Sequence, residues 1–205
     1  GDNGIYGYNW ESLLIANNHF LNGNEGVHLT AHLDASRDLL IEQNFLSGLR
    51  RMGIEIQGGG INTIVQDNYY EKPAFGPKAE DNGEVFAYSI VSDRSRGTRV
   101  RRNTSIAPER PDGIGVRIIF ELGGLGIICE QNYSVDGNHV IAANGVNGTG
   151  LAHHNRIVGF REGPRNSNNA RVQFRDNGPD VQLDWDINRG KPGPNKRIPT
   201  SLPGK

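Results

Sequence analysis

LLIEQN, residues 39–44, is an apolar run that closes on an asparagine. It is too short for a helix and alternates too poorly for a strand with one solvated face. The same figure recurs along the chain. LLIANN closes at Asn18, TIVQDN at Asn68, TRVRRN at Asn103, IICEQN at Asn132, GLAHHN at Asn155 and VQFRDN at Asn177. The intervals between these asparagines are 26, 24, 35, 29, 23 and 22 residues. Three positions ahead of each stands Ile15, Ile41, Val65, Val100, Cys129, Ala152 or Phe174, with Ala152 the weakest member of an apolar column.

A second unit lies between some of the asparagines: GVHLT from Gly26, GIEIQ from Gly53 and GVRII from Gly115. Each opens on glycine and then alternates, the period of a strand with one buried face. Val27, Leu29, Ile54, Ile56, Val116 and Ile118 are expected inward, and His28, Glu55 and Arg117 outward. A repeat of 22 to 26 residues built from short strands describes a solenoid, in which one coil cannot bury its own apolar face and stacked coils can. In such a stack equivalent residues lie one above another, about 4.8 Å apart. Asn18, Asn44, Asn68, Asn103, Asn132, Asn155 and Asn177 are therefore expected to form a ladder of side-chain amides at one corner. There asparagine would also tolerate left-handed backbone.

The rest of the composition agrees. The chain has 205 residues, 28 of them glycine, with a formal net charge of −1, so it carries no basic footprint for nucleic acid. No stretch approaches the roughly 20 apolar residues of a membrane span. One cysteine, Cys129, excludes an internal disulfide and reads as a small core residue. The opening Gly1-Asp2-Asn3 is read as the start of a mature chain or a cut fragment.

The Gly-apolar-x-apolar strand, the loop QGGGINTIV (57–65) and the closing asparagine resemble right-handed parallel β-helix proteins of the pectate-lyase-like superfamily, over about residues 5–188. The resemblance implies an all-β, right-handed parallel β-helix of about seven coils across residues 1–188. The Pro/Gly/Lys-rich segment 189–205 would be a tail outside it. It also implies an extracellular protein or one on a cell or virion surface, with polysaccharide as partner and homo-oligomeric packing as in tailspike-like members. The expected function is binding of an extended polysaccharide, with depolymerisation by a lyase or hydrolase if the chain is an enzyme. The alternative is a non-catalytic tailspike-like, adhesin-like or structural rod.

The long intervals mark insertions. Tyr70 to Gly83 reads as a loop thrown out of one coil, and IAPERPDG (106–113) as a shorter one at a nearby level. With the glycines aligned, His28, Glu55 and Arg117 fall in one outward column, with Thr30 and Gln57 beside it. A histidine and a carboxylate suit proton transfer, and an arginine suits an acidic sugar. His28, Glu55 and Arg117 are thus the candidate catalytic residues, and Thr30 and Gln57 the candidate substrate-binding residues. A polar outward face is also what any soluble sheet needs. No cofactor and no metal are expected: His28 and His32 would stand about 13 Å apart on a strand. The paired-aspartate pattern of polygalacturonases and the calcium-binding aspartates of pectate lyases are absent, so no catalytic residue is carried over. In His153-His154, adjacent strand positions are expected to face opposite sides. Glycosylation acceptor patterns begin at Asn103, Asn132 and Asn147, the first two being ladder positions.

Overall fold

The computed structural model describes residues 3–32, 35–72, 88–106, 118–135, 139–144, 148–158, 165–167, 170–177, 185–186 and 191–192. All regular structure among them is strand. Three strands make a coil. The first is β1 (Asn3–Tyr8), β2 (Glu11–Ala16) and β3 (His19–Leu21). The second is β4 (Glu25–Thr30), β5 (Arg37–Glu42) and β6 (Phe45–Ser47). The third is β7 (Met52–Gln57), β8 (Ile61–Gln66) and β9 (Tyr69–Glu71). The order continues with β10 (Tyr88–Arg96), β11 (Arg99–Arg101) and β12 (Thr104–Ile106), then β13 (Ile118–Leu125), β14 (Ile127–Glu130) and β15 (Tyr133–Val135). Further strands at 139–144, 149–153, 156–158, 165–167 and 171–175 join the same sheets. Every pairing in the stack is parallel, whereas Trp185–Asp186 and Lys191–Pro192 form a separate antiparallel pair.

The chain is thus an all-β parallel solenoid with three faces. YGYNWESL (6–13) supplies parts of two full strands of the first coil. Four turns, residues 3–24, 52–72, 88–106 and 118–135, are described without interruption, rather than the seven expected. The turns through Asn44 and Asn155 include residues outside the described ones, and Asn177 follows only two described strands of the stack, at 165–167 and 171–175. The first insertion differs from expectation at its start. Tyr70 belongs to β9 and is buried in the core. Tyr70 and Glu71 are therefore part of the coil, and residues 73–83, like most of 106–113, lie outside the described residues.

The apolar column ahead of each asparagine is in register. Ile15, Ile41, Val65, Val100, Cys129, Ala152 and Phe174 pair in turn across the second face. All but Phe174, which packs at the edge of the cluster, are buried. On the first face Val27, Ile54, Ile90 and Phe120 stack likewise. Both columns belong to one core cluster that runs through the coils.

The asparagines form the expected ladder. The Asn44 amide donates to Asn68 Oδ1 at 2.9 Å and to the Ile15 carbonyl of the neighbouring coil at 3.0 Å. Its own Oδ1 accepts from the Asn18 amide and backbone N–H, both at 3.0 Å. The pattern repeats at Asn68, Asn103, Asn132, Asn155 and Asn177. It satisfies corner groups that the stack removes from water. Left-handed backbone falls one residue earlier than expected, at Asn17, Gln43, Asp67, Arg102, Gln131, His154 and Asp176. The asparagine itself points its amide inward, so the reversal of direction falls to the residue ahead of it. Asn103 and Asn132 are buried in the ladder, which removes them as glycosylation acceptors, and Asn147 lies outside the described residues.

Cys129 is fully buried, and burial pushes its thiol well above the usual range. A disulfide reagent should label Cys129 in the native chain about a thousandfold more slowly than in denaturant. Similar rates in both would mean that the coils around it open readily.

Candidate functional site

β1, β4 and β7 lie side by side on the first face. Their register places Tyr6, His28 and Glu55 in one column and Tyr8, Thr30 and Gln57 in the next. His28 and Glu55 therefore are neighbours, as the glycine alignment of β4 and β7 requires. Arg117 lies outside the described residues. By backbone register the column continues from Glu55 through Val91 to Glu121, so Glu121 stands where Arg117 was expected. The glycine phase slips because β10 runs through the corner, pairing with β7 and through Arg96 with β8. Phe120 therefore takes the Ile54 level, where the glycine alignment expected Val116.

Glu55 is on the His28 side of its strand but is only 1% exposed. Flanked in register by His28 and Val91, it accepts a hydrogen bond on Oε1 from Gln57 Nε2. Its Oε2 is buried with no hydrogen-bond partner, 3.5 Å from His28 Nδ1. That imidazole nitrogen is engaged with Glu25 Oε2 at 2.7 Å. Glu25, also 1% exposed, accepts on its other oxygen from Arg51 Nη1 at 2.7 Å. On the far side of the ring, His28 Nε2 lies 3.4 Å from both Gln57 Oε1 and Thr30 Oγ1. Burial holds the Glu55 carboxyl above the usual carboxylate range, and His28 opposes that shift more than Arg51 does.

Two aromatic side chains border this cluster. Tyr6 meets His28 edge-on, with centroids 5.0 Å apart. Tyr6 and Tyr8 are T-shaped at 5.1 Å, with their hydroxyls hydrogen-bonded. They are 52% and 59% exposed. Of the predicted residues, the structure brings together His28, Glu55, Thr30 and Gln57. It adds Glu25, Arg51, Tyr6 and Tyr8, none of which sequence reasoning singled out. Glu25 carried a legible signal, since it shares the parity of inward Val27 and Leu29, and an acid in a core phase requires a partner.

The remaining histidine pair is more closely joined than expected. Left-handed backbone at His154 breaks the alternation, and the two Nδ1 atoms of His153 and His154 lie 2.6 Å apart. On the third face a separate column forms, with Phe45 stacked on Tyr69 at 5.7 Å and Arg156 over Tyr133 at 5.5 Å. Among the described residues, no helix is long and apolar enough to cross a membrane. No protein-family model, curated protein or solved structure matches the chain.

Proposed function

We propose that the first face binds an extended, neutral polysaccharide. The observation that carries this reading is the exposed pair Tyr6 and Tyr8, of which Tyr8 stands in register with the polar row Thr30 and Gln57. Exposed aromatic rings offer apolar area to the C–H faces of a sugar, and their hydroxyls and the neighbouring amide meet its O–H groups. Neutral sugar is favoured over uronate because the charges behind this row are two carboxylates, Glu25 and Glu55, and the Arg51 guanidinium is held by Glu25. Both acids are 1% exposed and out of reach of a bound chain, which favours binding over cleavage. On this reading the coil is right-handed, as parallel crossover connections nearly always are. The protein then belongs beside the pectate-lyase-like β-helices and works outside the cell or on a cell or virion surface.

The test is a binding screen on a glucan, a xylan, a galactomannan and a polygalacturonate, with assays for reducing and unsaturated ends. Binding to a neutral polymer is expected, without release of ends. Tyr6→Ala with Tyr8→Ala should weaken it at least about tenfold, since aromatic anchors dominate such contacts. No binding to any neutral polymer, or binding unchanged in the double variant, removes the reading.

A further inference from the structure

We propose that Glu25, His28 and Glu55 form a binding site for a first-row divalent metal ion, zinc by preference, at His28 Nδ1. One ligand atom from each of the three residues lies within 4.8 Å of the other two. The separations from His28 Nδ1 are 2.7 Å to Glu25 Oε2 and 3.5 Å to Glu55 Oε2. They bracket the roughly 3.4 Å between ligand atoms of a tetrahedral site with bonds of about 2.1 Å. The inference does not rest on the polysaccharide reading.

The second observation is the unpartnered Glu55 Oε2. This atom is buried, belongs to a side chain that is almost wholly out of water, and faces the same imidazole nitrogen as Glu25. One Nδ1–H satisfies one carboxylate, and the geometry gives it to Glu25. Replacing that proton by a cation would satisfy both.

The surroundings are those of a supported site. The other oxygen of Glu25 is held by Arg51, and the other oxygen of Glu55 by Gln57. The other nitrogen of His28 faces Gln57 Oε1 and Thr30 Oγ1. Outer partners of this kind fix the tautomer and ring orientation of a ligating histidine and aim its carboxylates. The three atoms left over converge. The donor set chooses the metal. An imidazole with two carboxylates suits zinc and its neighbours, whereas calcium asks for six to eight oxygens and magnesium for a hydrated octahedron.

The experiment takes the full chain, stripped with a chelator, into equilibrium dialysis and calorimetry with zinc, manganese and calcium chlorides. One zinc per chain is expected with a Kd at or below about 1 µM, weaker manganese and no calcium. Glu55→Gln and His28→Gln should each weaken zinc at least thirtyfold. Either variant can lose folding, so a readout on the unaltered chain stands beside them. Zinc at a hundred times Kd should raise its melting temperature by several degrees. Cobalt should give visible absorption bands of a low-coordinate site with nitrogen and oxygen ligands. Absence of zinc binding overturns the proposal, as does binding at full strength in folded Glu55→Gln. Binding without a rise in melting temperature, or with preference for calcium, overturns it equally.

Discussion

Asn44→Asp should cost the fold about 3 to 5 kcal/mol near neutral pH, because it leaves an uncompensated charge in the middle of the ladder. Asparagine at 44 accepts twice and donates twice through its side chain. A carboxylate keeps both acceptances and loses both donations, so it faces the Ile15 carbonyl and Asn68 Oδ1 with like charge. Asn44→Ala should cost less, about 2 kcal/mol, because it strands neutral groups only. The same changes at half-exposed Asn24 should stay within about 0.5 kcal/mol. The acid variant also has a pH signature. Burial raises the new carboxyl's folded pKa above its unfolded value, so the native state binds the extra proton. Stability should therefore recover as pH falls through that raised value and be lost again as pH rises. Urea denaturation of the four variants at two pH values measures all of this. Equal midpoints at positions 24 and 44 would show that the ladder contributes nothing.

Gly124→Ala should cost more than about 3 kcal/mol, for two reasons that a control separates. Gly124 has φ +110°, and a Cβ there would lie 2.6 Å from Ser95 N and 2.7 Å from Ser95 C, on the backbone of the adjacent coil. Ser95 and Gly124 are register partners just past the shift between β10 and β13, where the two strands turn the corner together. Gly97 also has positive φ, +66°, yet nothing lies within 4 Å of its missing Cβ. Gly97→Ala therefore carries the conformational cost alone, about 1 to 2 kcal/mol. The excess at Gly124 measures how firmly coils resist being spread. Thermal or urea melts of the two variants read it directly, and equal losses would mean the stack yields without cost.

These positions also show what a sequence of this kind reveals. A solenoid repeats by translation, so any residue type the geometry demands at one point must return in phase. Asparagine at the corner and an apolar residue three positions earlier meet that condition, and both columns were readable. The left-handed residue ahead of each asparagine was not. Its side chain points to solvent, so the position holds Asn17, Gln43, Asp67, Arg102, Gln131, His154 and Asp176 with no shared chemistry. The third strand of the polar column misled for a different reason. Glycine keeps phase only while each face has its own strand, and β10 and β13 run on through the corner. His28 and Glu55 were readable as neighbours, since adjacent coils of equal design kept their register. Glu25 and Arg51 reach the cluster from strand and corner positions outside that column, and pattern alone does not report such a meeting.

One more property follows from the ladder. Between rungs, each amide from Asn18 to Asn155 donates to the asparagine of the coil that follows, and each from Asn44 to Asn177 accepts from the one before. The seven dipoles are aligned like cars in a one-way street. An amide turned around at any rung would set oxygen against oxygen on one side and nitrogen against nitrogen on the other. Orientation is therefore a single collective choice, strengthened along the chain of bonds as each polarises the next. It also gives the rod a sense. Among the amide-to-amide bonds Asn18 only donates and Asn177 only accepts, so the ladder records the direction in which the chain climbs.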